Sequence, residues 1–267
     1  MDDAARIGRD LDEIRKQAPL IHNITNYVVM NNTANALLAI GASPVMAHAE
    51  EEVEQMVGYA GALVINIGTL SPAWIRAMRK AQAVAHRNGT PVIIDPVGAG
   101  ATSLRTNTMR ELMQTSAPTV IRGNASEIIA LQTDVASTKG VDSQHAASDA
   151  EAHARALSAQ TGAVVCVSGA TDLIIAGDRT WTIQNGHPLM PRVTGLGCTA
   201  TALIGAFCAV NASPAEATAH AMAVMGIAGE VAGADAKGPG TLQLLFLDAL
   251  HTIDATTIAA HLQWTSP

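Results

Sequence analysis

Short apolar runs at residues 62–66, 91–95, 119–122 and 163–168 each end on a polar residue or at a glycine, and helix-compatible stretches separate them. Runs this apolar are strands buried on both faces. Strands of that kind alternating with helices build a mostly parallel sheet with helices on either side. The expected architecture is therefore a three-layer α/β/α fold, read as one domain over residues 1–267. Local signals sharpen individual elements. Ser71 caps a helix over 71–86 with Pro72 at its first position, and Asn88-Gly89 ends it. Further helices are expected over 107–114 and 150–160. Two short runs, 173–176 and 179–184, read as a hairpin beside the main sheet. From Cys198 onward the chain reads as almost all helix. The polar, weakly patterned stretch 133–148 reads as a mobile surface loop.

Composition removes several classes of function. The net charge is −7 and no cluster of Lys or Arg stands out, which argues against nucleic acid as a partner. The apolar runs are too short or interrupted to span a bilayer, so no membrane association is expected. The charged, amphipathic N-terminus has no secretory hydrophobic region. The three cysteines, Cys166, Cys198 and Cys208, form no CxxC spacing. They point to a reducing, cytoplasmic home rather than to a disulfide frame or a zinc site.

In a parallel sheet, ligands bind beyond the carboxyl ends of the strands. Polar groups or glycines follow the apolar runs at Asn66, Gly68 and Thr69, at Asp95 and Gly98, at Arg122 and Asn124, at Ser168 and Gly169, and at Thr194 and Gly195. Together they describe a lined pocket. Asp95 is either a turn aspartate before Pro96 or a partner of Mg²⁺. Glu127 completes the capping box Asn124-Ala-Ser-Glu127 and could also serve a metal, since both roles put its carboxylate at a helix mouth. Arg122 is either a solvated surface residue or a phosphate clamp. His22, His48 and His187 lie near expected loops and make no metal-ligand spacing, so surface or supporting roles are expected of them.

Gly195-Leu-Gly-Cys198 opens the helical C-terminal part. A glycine turn at a helix start presents backbone N–H groups to an anion, and a thiol there can be more acidic than a free one. The same residues fit a dinucleotide fingerprint, G-x-G-x-x-A, but no strand follows to complete the βαβ unit. Lys237-Gly-Pro-Gly240 has the wrong order for a Walker A loop. A cysteine hydrolase would need a His and an Asn or Asp to activate Cys198; candidates exist, but no local signature supports them. A packed cysteine at a helix start is the plain alternative.

These residues, in order from about 19 to 250, resemble the hydroxyethylthiazole kinases of thiamine biosynthesis, which have the ribokinase-like fold. The matching motifs are His22-Asn-Ile-Thr-Asn26, Ala34-Asn35, Gly41-Ala-Ser-Pro-Val-Met46, Asn66-Ile-Gly-Thr69, Asp95-Pro-Val-Gly-Ala-Gly-Ala101 and Ile121-Arg-Gly-Asn124. They continue with Glu127, Asn185-Gly-His187, Val193-Thr-Gly195, Gly197-Cys198 and Lys237-Gly-Pro-Gly240. The resemblance implies ATP-dependent phosphorylation of the hydroxyl of 4-methyl-5-(2-hydroxyethyl)thiazole. It implies that Asn26, Met46, Gly68 and Gly195 bind the thiazole, that Arg122, Ser168, Thr194 and Gly197 bind ATP, and that Asp95 and Glu127 position Mg²⁺. Cys198 stands where most ribokinase-like enzymes carry an aspartate base. A homotrimer with sites between subunits is implied as well. Leu196 and Ser168 depart from the family's usual Ala and Thr; Leu196 is expected to point into the protein, leaving the turn's donors free. The nearest alternatives are a kinase of hydroxymethylpyrimidine or another small alcohol, and an ATP-dependent NAD(P)H-hydrate dehydratase.

Overall fold

The computed structural model describes residues 2–133 and 143–267, with side chains from 149 onward in the second stretch. Among the described residues, nine strands form one sheet: β1 (Leu20–Ile24), β2 (Ser43–Val45), β3 (Ala62–Asn66), β4 (Val92–Asp95), β5 (Val120–Asn124), β6 (Val164–Ser168), β7 (Asp172–Ala176), β8 (Arg179–Ile183) and β9 (Trp264–Thr265). Their spatial order is β2-β1-β3-β4-β5-β6-β7-β8-β9. The pairs from β2 to β6 are parallel, and those from β6 to β9 antiparallel. The expected hairpin is thus β7–β8, and it extends the main sheet.

The helices are α1 (Asp3–Gln17), α2 (Met30–Ala39), α3 (Val53–Tyr59), α4 (Pro72–Asn88), α5 (Ser103–Thr115), α6 (Ala125–Gln132) and α7 (Ser143–Thr161). After the sheet's eighth strand come α8 (Leu196–Cys208), α9 (Pro214–Asp235), α10 (Pro239–Thr252) and α11 (Ala255–His261). Strand side chains alternate between two cores, as a period of two requires. Ile21, Val64, Ile93, Val120 and Cys166 face α1, α8, α9 and α10. Leu63, Ile65, Ile94, Ile121 and Val165 face α3, α4, α5, α6 and α7. With aromatics at 3% of the sequence, aliphatic side chains carry both layers.

Local chemistry accounts for several boundaries. The Ser71 hydroxyl accepts the Trp74 N–H, Pro72 occupies the first turn, and Gly89 closes α4 at φ +69. The expected helices over 107–114 and 150–160 are the inner parts of α5 and α7. Of the stretch read as a mobile loop, 134–142 lies outside the described residues, and from Ser143 the chain is already in α7, so that part of the expectation is corrected. A strand does follow the Gly195 turn, contrary to expectation, because β9 returns to pair with β8. It is two residues long, antiparallel and carries no acidic end, so it does not complete a dinucleotide unit. No helix among the described residues is long and apolar enough to cross a membrane.

Candidate active site

Strand order reverses at β1: the chain goes from β1 outward to β2, then back across to β3. The crevice at the carboxyl ends of β1 and β3 is where such a sheet opens. Asn26, just past β1, donates through Nδ2 to Asn66 Oδ1 at the end of β3, 2.9 Å away. Asn66 donates in turn to Asp95 Oδ2 at the end of β4, at 2.8 Å. The same oxygen accepts the Thr201 hydroxyl from α8 at 2.9 Å. Asn26 Nδ2 also lies 3.5 Å from Cys198 Sγ. Gly68 closes against Asn26: a Cβ at 68 would meet Asn26 Nδ2 at 2.7 Å, and the Gly68 N–H donates to Asn66 Oδ1. The thiol, three strand ends and one helix are thereby tied into one network.

Asp95 is fully buried and its Oδ1 has no hydrogen-bond partner. Burial pushes its carboxyl up to about 6; Arg122 pulls it down, Glu127 pushes it further up, and Thr201 and Asn66 hold the ionised form. The turn-aspartate reading is set aside, since the hydrogen bonds to its side chain come from side chains. Glu127 does complete the capping box, with Oε2 accepting the Asn124 N–H, and its Oε1 accepts the Gly98 N–H at 2.9 Å. It therefore pins the loop after β4 to the start of α6. Arg122 is not a solvated surface residue. Its side chain is 11% exposed, Nη2 donates to Ser168 Oγ at 2.6 Å, and Nη1 stands 4.0 Å from Asp95 Oδ2. Burial works against its charge, but Asp95, together with Cys166, Glu127 and Asp172, more than offsets this and holds the guanidinium protonated.

Gly195 caps α8 at φ +87, a conformation that favours glycine, and a Cβ there would meet Val29 Cγ1 at 2.8 Å. The N–H groups of Leu196, Gly197 and Cys198 have no intrahelical acceptor and point out of the helix mouth. A Cβ at Gly197 would come within 2.9 Å of Arg122 Nη1, so glycine there lets the guanidinium approach the turn. Leu196 is buried in the core below, as expected. The expectation of an acidic thiol is corrected. Burial, reinforced by the Asp95 charge, pushes Cys198 up to about 12, outweighing Asn66, Arg122 and Asn26.

A cavity of about 950 Å³ opens beside this network. Arg122, Ser168, Thr194, Gly195 and Gly197 line it, together with Asp172, Met222 and Met225. Asn26, Met46, Gly68, Asp95, Glu127 and Cys198 are not in its wall. Met46 follows β2, its carbonyl 3.1 Å from Nδ1 of His48, whose ring, like that of Tyr27, lies 4.7 Å from the Trp74 ring. His22, expected near a loop, is instead a fully buried residue of β1. Its Nε2 lies 2.8 Å from the Ala47 carbonyl, and burial keeps the ring neutral by lowering its pKa.

Sequence reasoning named Asn66 as a strand end and as part of a matching motif but gave it no role, and it missed Thr201 and Arg105. Thr201 could have been suggested by its place one turn after Cys198. Arg105 donates to the Val97 carbonyl at 2.6 Å and to the Gly68 carbonyl at 2.7 Å, joining two strand-end loops. Nothing in its local sequence signals this.

The donors fit a magnesium ion sharing its shell with phosphates. Among the described residues no group of three His, Cys, Asp or Glu could cage a metal. Magnesium, however, commonly uses one or two carboxylates and completes its shell with water and phosphate. The partnerless Asp95 Oδ1, with Glu127 nearby, is the matching acceptor.

Comparison with known proteins places the chain in a family. The sequence profile of the hydroxyethylthiazole kinase family matches residues 11–256. A hydroxyethylthiazole kinase of Syntrophus aciditrophicus (strain SB) is 60% identical over 251 residues, covering 94% of this chain and 93% of the relative. The structure of a hydroxyethylthiazole kinase from Pyrococcus horikoshii OT3 superimposes with a TM-score of 0.91 at 43% identity, over 98% of this chain and 99% of that one. A pyridoxal kinase from Staphylococcus aureus shares the fold, with a TM-score of 0.66 at 17% identity over 93% of this chain and 97% of the other.

Proposed function

The chain belongs to the hydroxyethylthiazole kinase family and catalyses ATP-dependent phosphorylation of the thiazole alcohol, and we propose that the network and the cavity divide that reaction between them. The observation that carries this reading is the helix mouth at Gly195–Gly197, facing a large cavity on one side and Cys198 on the other. ATP occupies the cavity, with its terminal phosphates over the free N–H groups of α8 and beside Arg122, Thr194 and Ser168. Asn26, Met46, Gly68 and Gly195 border the thiazole. Asp95 and Glu127 would hold Mg²⁺, directly or through water. When bound, that ion would neutralise phosphate charge.

Phosphoryl transfer asks mainly for positioning and charge stabilisation. The hydroxyl oxygen of the substrate bonds to the γ-phosphorus, the bond to the bridging oxygen breaks, and ADP leaves with that electron pair. The α8 N–H groups and Arg122 stabilise the charge on the transferring group. Cys198 is a neutral thiol and orients the hydroxyl; the hydroxyl's proton leaves late, to a phosphate oxygen. The exposed Tyr27 and Val28 on the thiazole rim, at 65% and 66%, fit a site completed by a neighbouring subunit of a homotrimer. The whole chain acts as one kinase domain, in the cytoplasm. Purified protein with ATP and Mg²⁺ is offered hydroxyethylthiazole, hydroxymethylpyrimidine and ribose. ADP release with the thiazole alone is the expected result; equal or greater turnover of another alcohol would overturn the substrate assignment.

A further inference from the structure

The motif Asn185-Gly-His187 has no part in the chemistry above, yet it is held by an unusual set of contacts. It begins a strap running from the end of β8 to Met190, and Gln184, Asn185, His187 and Met190 form part of the cavity wall. Glu230 on α9 grips the strap. Its Oε1 accepts the Asn185 side-chain N–H at 3.0 Å and the Gly186 backbone N–H at 3.0 Å, and its Oε2 accepts the same Asn185 amide at 3.1 Å. Asn185 is also bound to the end of α11, donating to the His261 carbonyl and accepting the Gln263 N–H, both at 2.8 Å.

The strap lies directly on the helix. Gly226, Gly229 and Gly233 occupy one face of α9, and an added Cβ would strike Asn185 O at 2.6 Å, Met190 Sδ and the His187 ring respectively. A strap without secondary structure is held in one place here by a charged acceptor and by close approach to a bare helix face. Met222 and Met225, on the same helix, line the cavity beside it.

We propose that Glu230 is a positioning residue for the nucleotide: it fixes the strap as the outer wall of the cavity, so that the base and ribose of ATP meet a preformed surface. This rests on the reading that ATP occupies the cavity. Glu230 lies outside the cavity lining and touches no reacting atom, so its effect should fall on ATP and spare the alcohol.

Steady-state kinetics and ADP titration on Glu230→Gln and Met225→Trp test this. Glutamine keeps one acceptor but turns an amide toward the Asn185 amide, so KM for ATP and Kd for ADP should rise about tenfold, the scale of a lost charge-assisted hydrogen bond. KM for the thiazole should stay within about twofold. Met225→Trp fills the cavity and should weaken ATP as well. An unchanged ATP KM in Glu230→Gln, with Met225→Trp impaired, overturns the positioning role and leaves the cavity assignment standing. Unchanged nucleotide binding in both variants overturns the cavity assignment itself. Equal losses for ATP and thiazole with a lowered Tm make Glu230 a structural residue only and also overturn the proposal. Should Glu230→Gln not fold, Glu230→Asp withdraws the carboxylate from Asn185 and Gly186 and is read the same way.

Discussion

Between β1 and β4 the carboxyl edge of the sheet is filled by its own side chains; between β5 and β8 it is hollow. On the filled side Asn26, Asn66, Asp95 and Thr201 bond to one another, and Cys198 lies against them. On the hollow side, residues from β5, β6, the strap and α9 stand around a cavity of about 950 Å³. Arg122 reaches both, through Asp95 and through Ser168. The difference separates two tasks. A filled network sets the position of reacting groups before any ligand arrives, so its substitutions should act on turnover. A hollow wall gains its contacts only with the nucleotide, so its substitutions should act on ATP affinity.

Asp95→Asn is the strongest attempt to break this division. The amide oxygen can still accept from Asn66 and Thr201, while its NH₂ takes the place of the partnerless Oδ1, so the fold should be kept, at a lower Tm because Arg122 loses its buried counter-charge. The charge opposite Arg122 and beside the expected magnesium is lost. Turnover should fall by about 10²- to 10³-fold, the scale of removing one electrostatic element of an active site, and the magnesium requirement should rise. A magnesium titration and a thermal melt check both halves. A variant that is inactive and also unfolded would show that the network serves stability before catalysis.

Cys198→Ser sharpens the role of the filled side. A general base contributes about 10²- to 10⁴-fold to rate, whereas a group that orients the hydroxyl contributes less, so we expect a loss of about tenfold with ATP affinity unchanged. The sign of the thiol's shift gives an independent check. A pKa pushed up to about 12 leaves the thiol neutral at neutral pH, with about one part in 10⁴ ionised at pH 8. Alkylation of the folded protein should therefore be slow and rise about tenfold per pH unit from 7 to 9. The unfolded chain should level off above about pH 8.5. A folded protein that levels off there as well would restore the acidic thiol.

That shift also marks where sequence reading stopped. The edges of β3 and α4 were legible because their signals are local: an apolar run, Ser71, Pro72 and Gly89. The Asn124–Glu127 capping box was legible for the same reason, its partners being three residues apart. The network was not, because Asp95 meets Asn66 across 29 residues and Thr201 across 106. A helix start alone allows Cys198 a more acidic thiol, while burial and Asp95, supplied by another strand, decide its state. β1 escaped notice because it carries His22 and Asn23 into the interior, and β2 because it is three residues long with Pro44 at its centre.

Tyr27 tests whether the filled side is complete in one chain. It follows Asn26 in the chain, largely exposed but packed at a tilt against the Trp74 ring. If a neighbouring subunit covers it, Tyr27→Ala should raise KM for the thiazole by about five- to tenfold, as for a truncated interface aromatic. Dilution should magnify that effect, and ATP affinity should hold. Activity followed over a dilution series beside light scattering reads this. A thiazole KM independent of protein concentration, in a protein that dilutes to monomers, would place the whole site within one chain.

Ser168→Thr is the smallest expected change and the finest probe of the hollow side. Ser168 Oγ accepts from Arg122 Nη2 at 2.6 Å and donates to the Gly123 carbonyl at 3.3 Å. Threonine keeps that hydroxyl, and its β-branch suits the end of a strand. The added methyl has the cavity to enter, so KM for ATP should move by less than about twofold. Ser168→Ala instead leaves the Arg122 guanidinium one acceptor short in a partly buried site, and the same constant should rise about tenfold, as for a hydrogen bond to a charged group. Neither variant should move KM for the thiazole, because Asp95 still anchors the other side of Arg122. If Ser168→Ala weakened both substrates together, Arg122 would couple the two halves, and the division between turnover and affinity would fail at the residue that joins them.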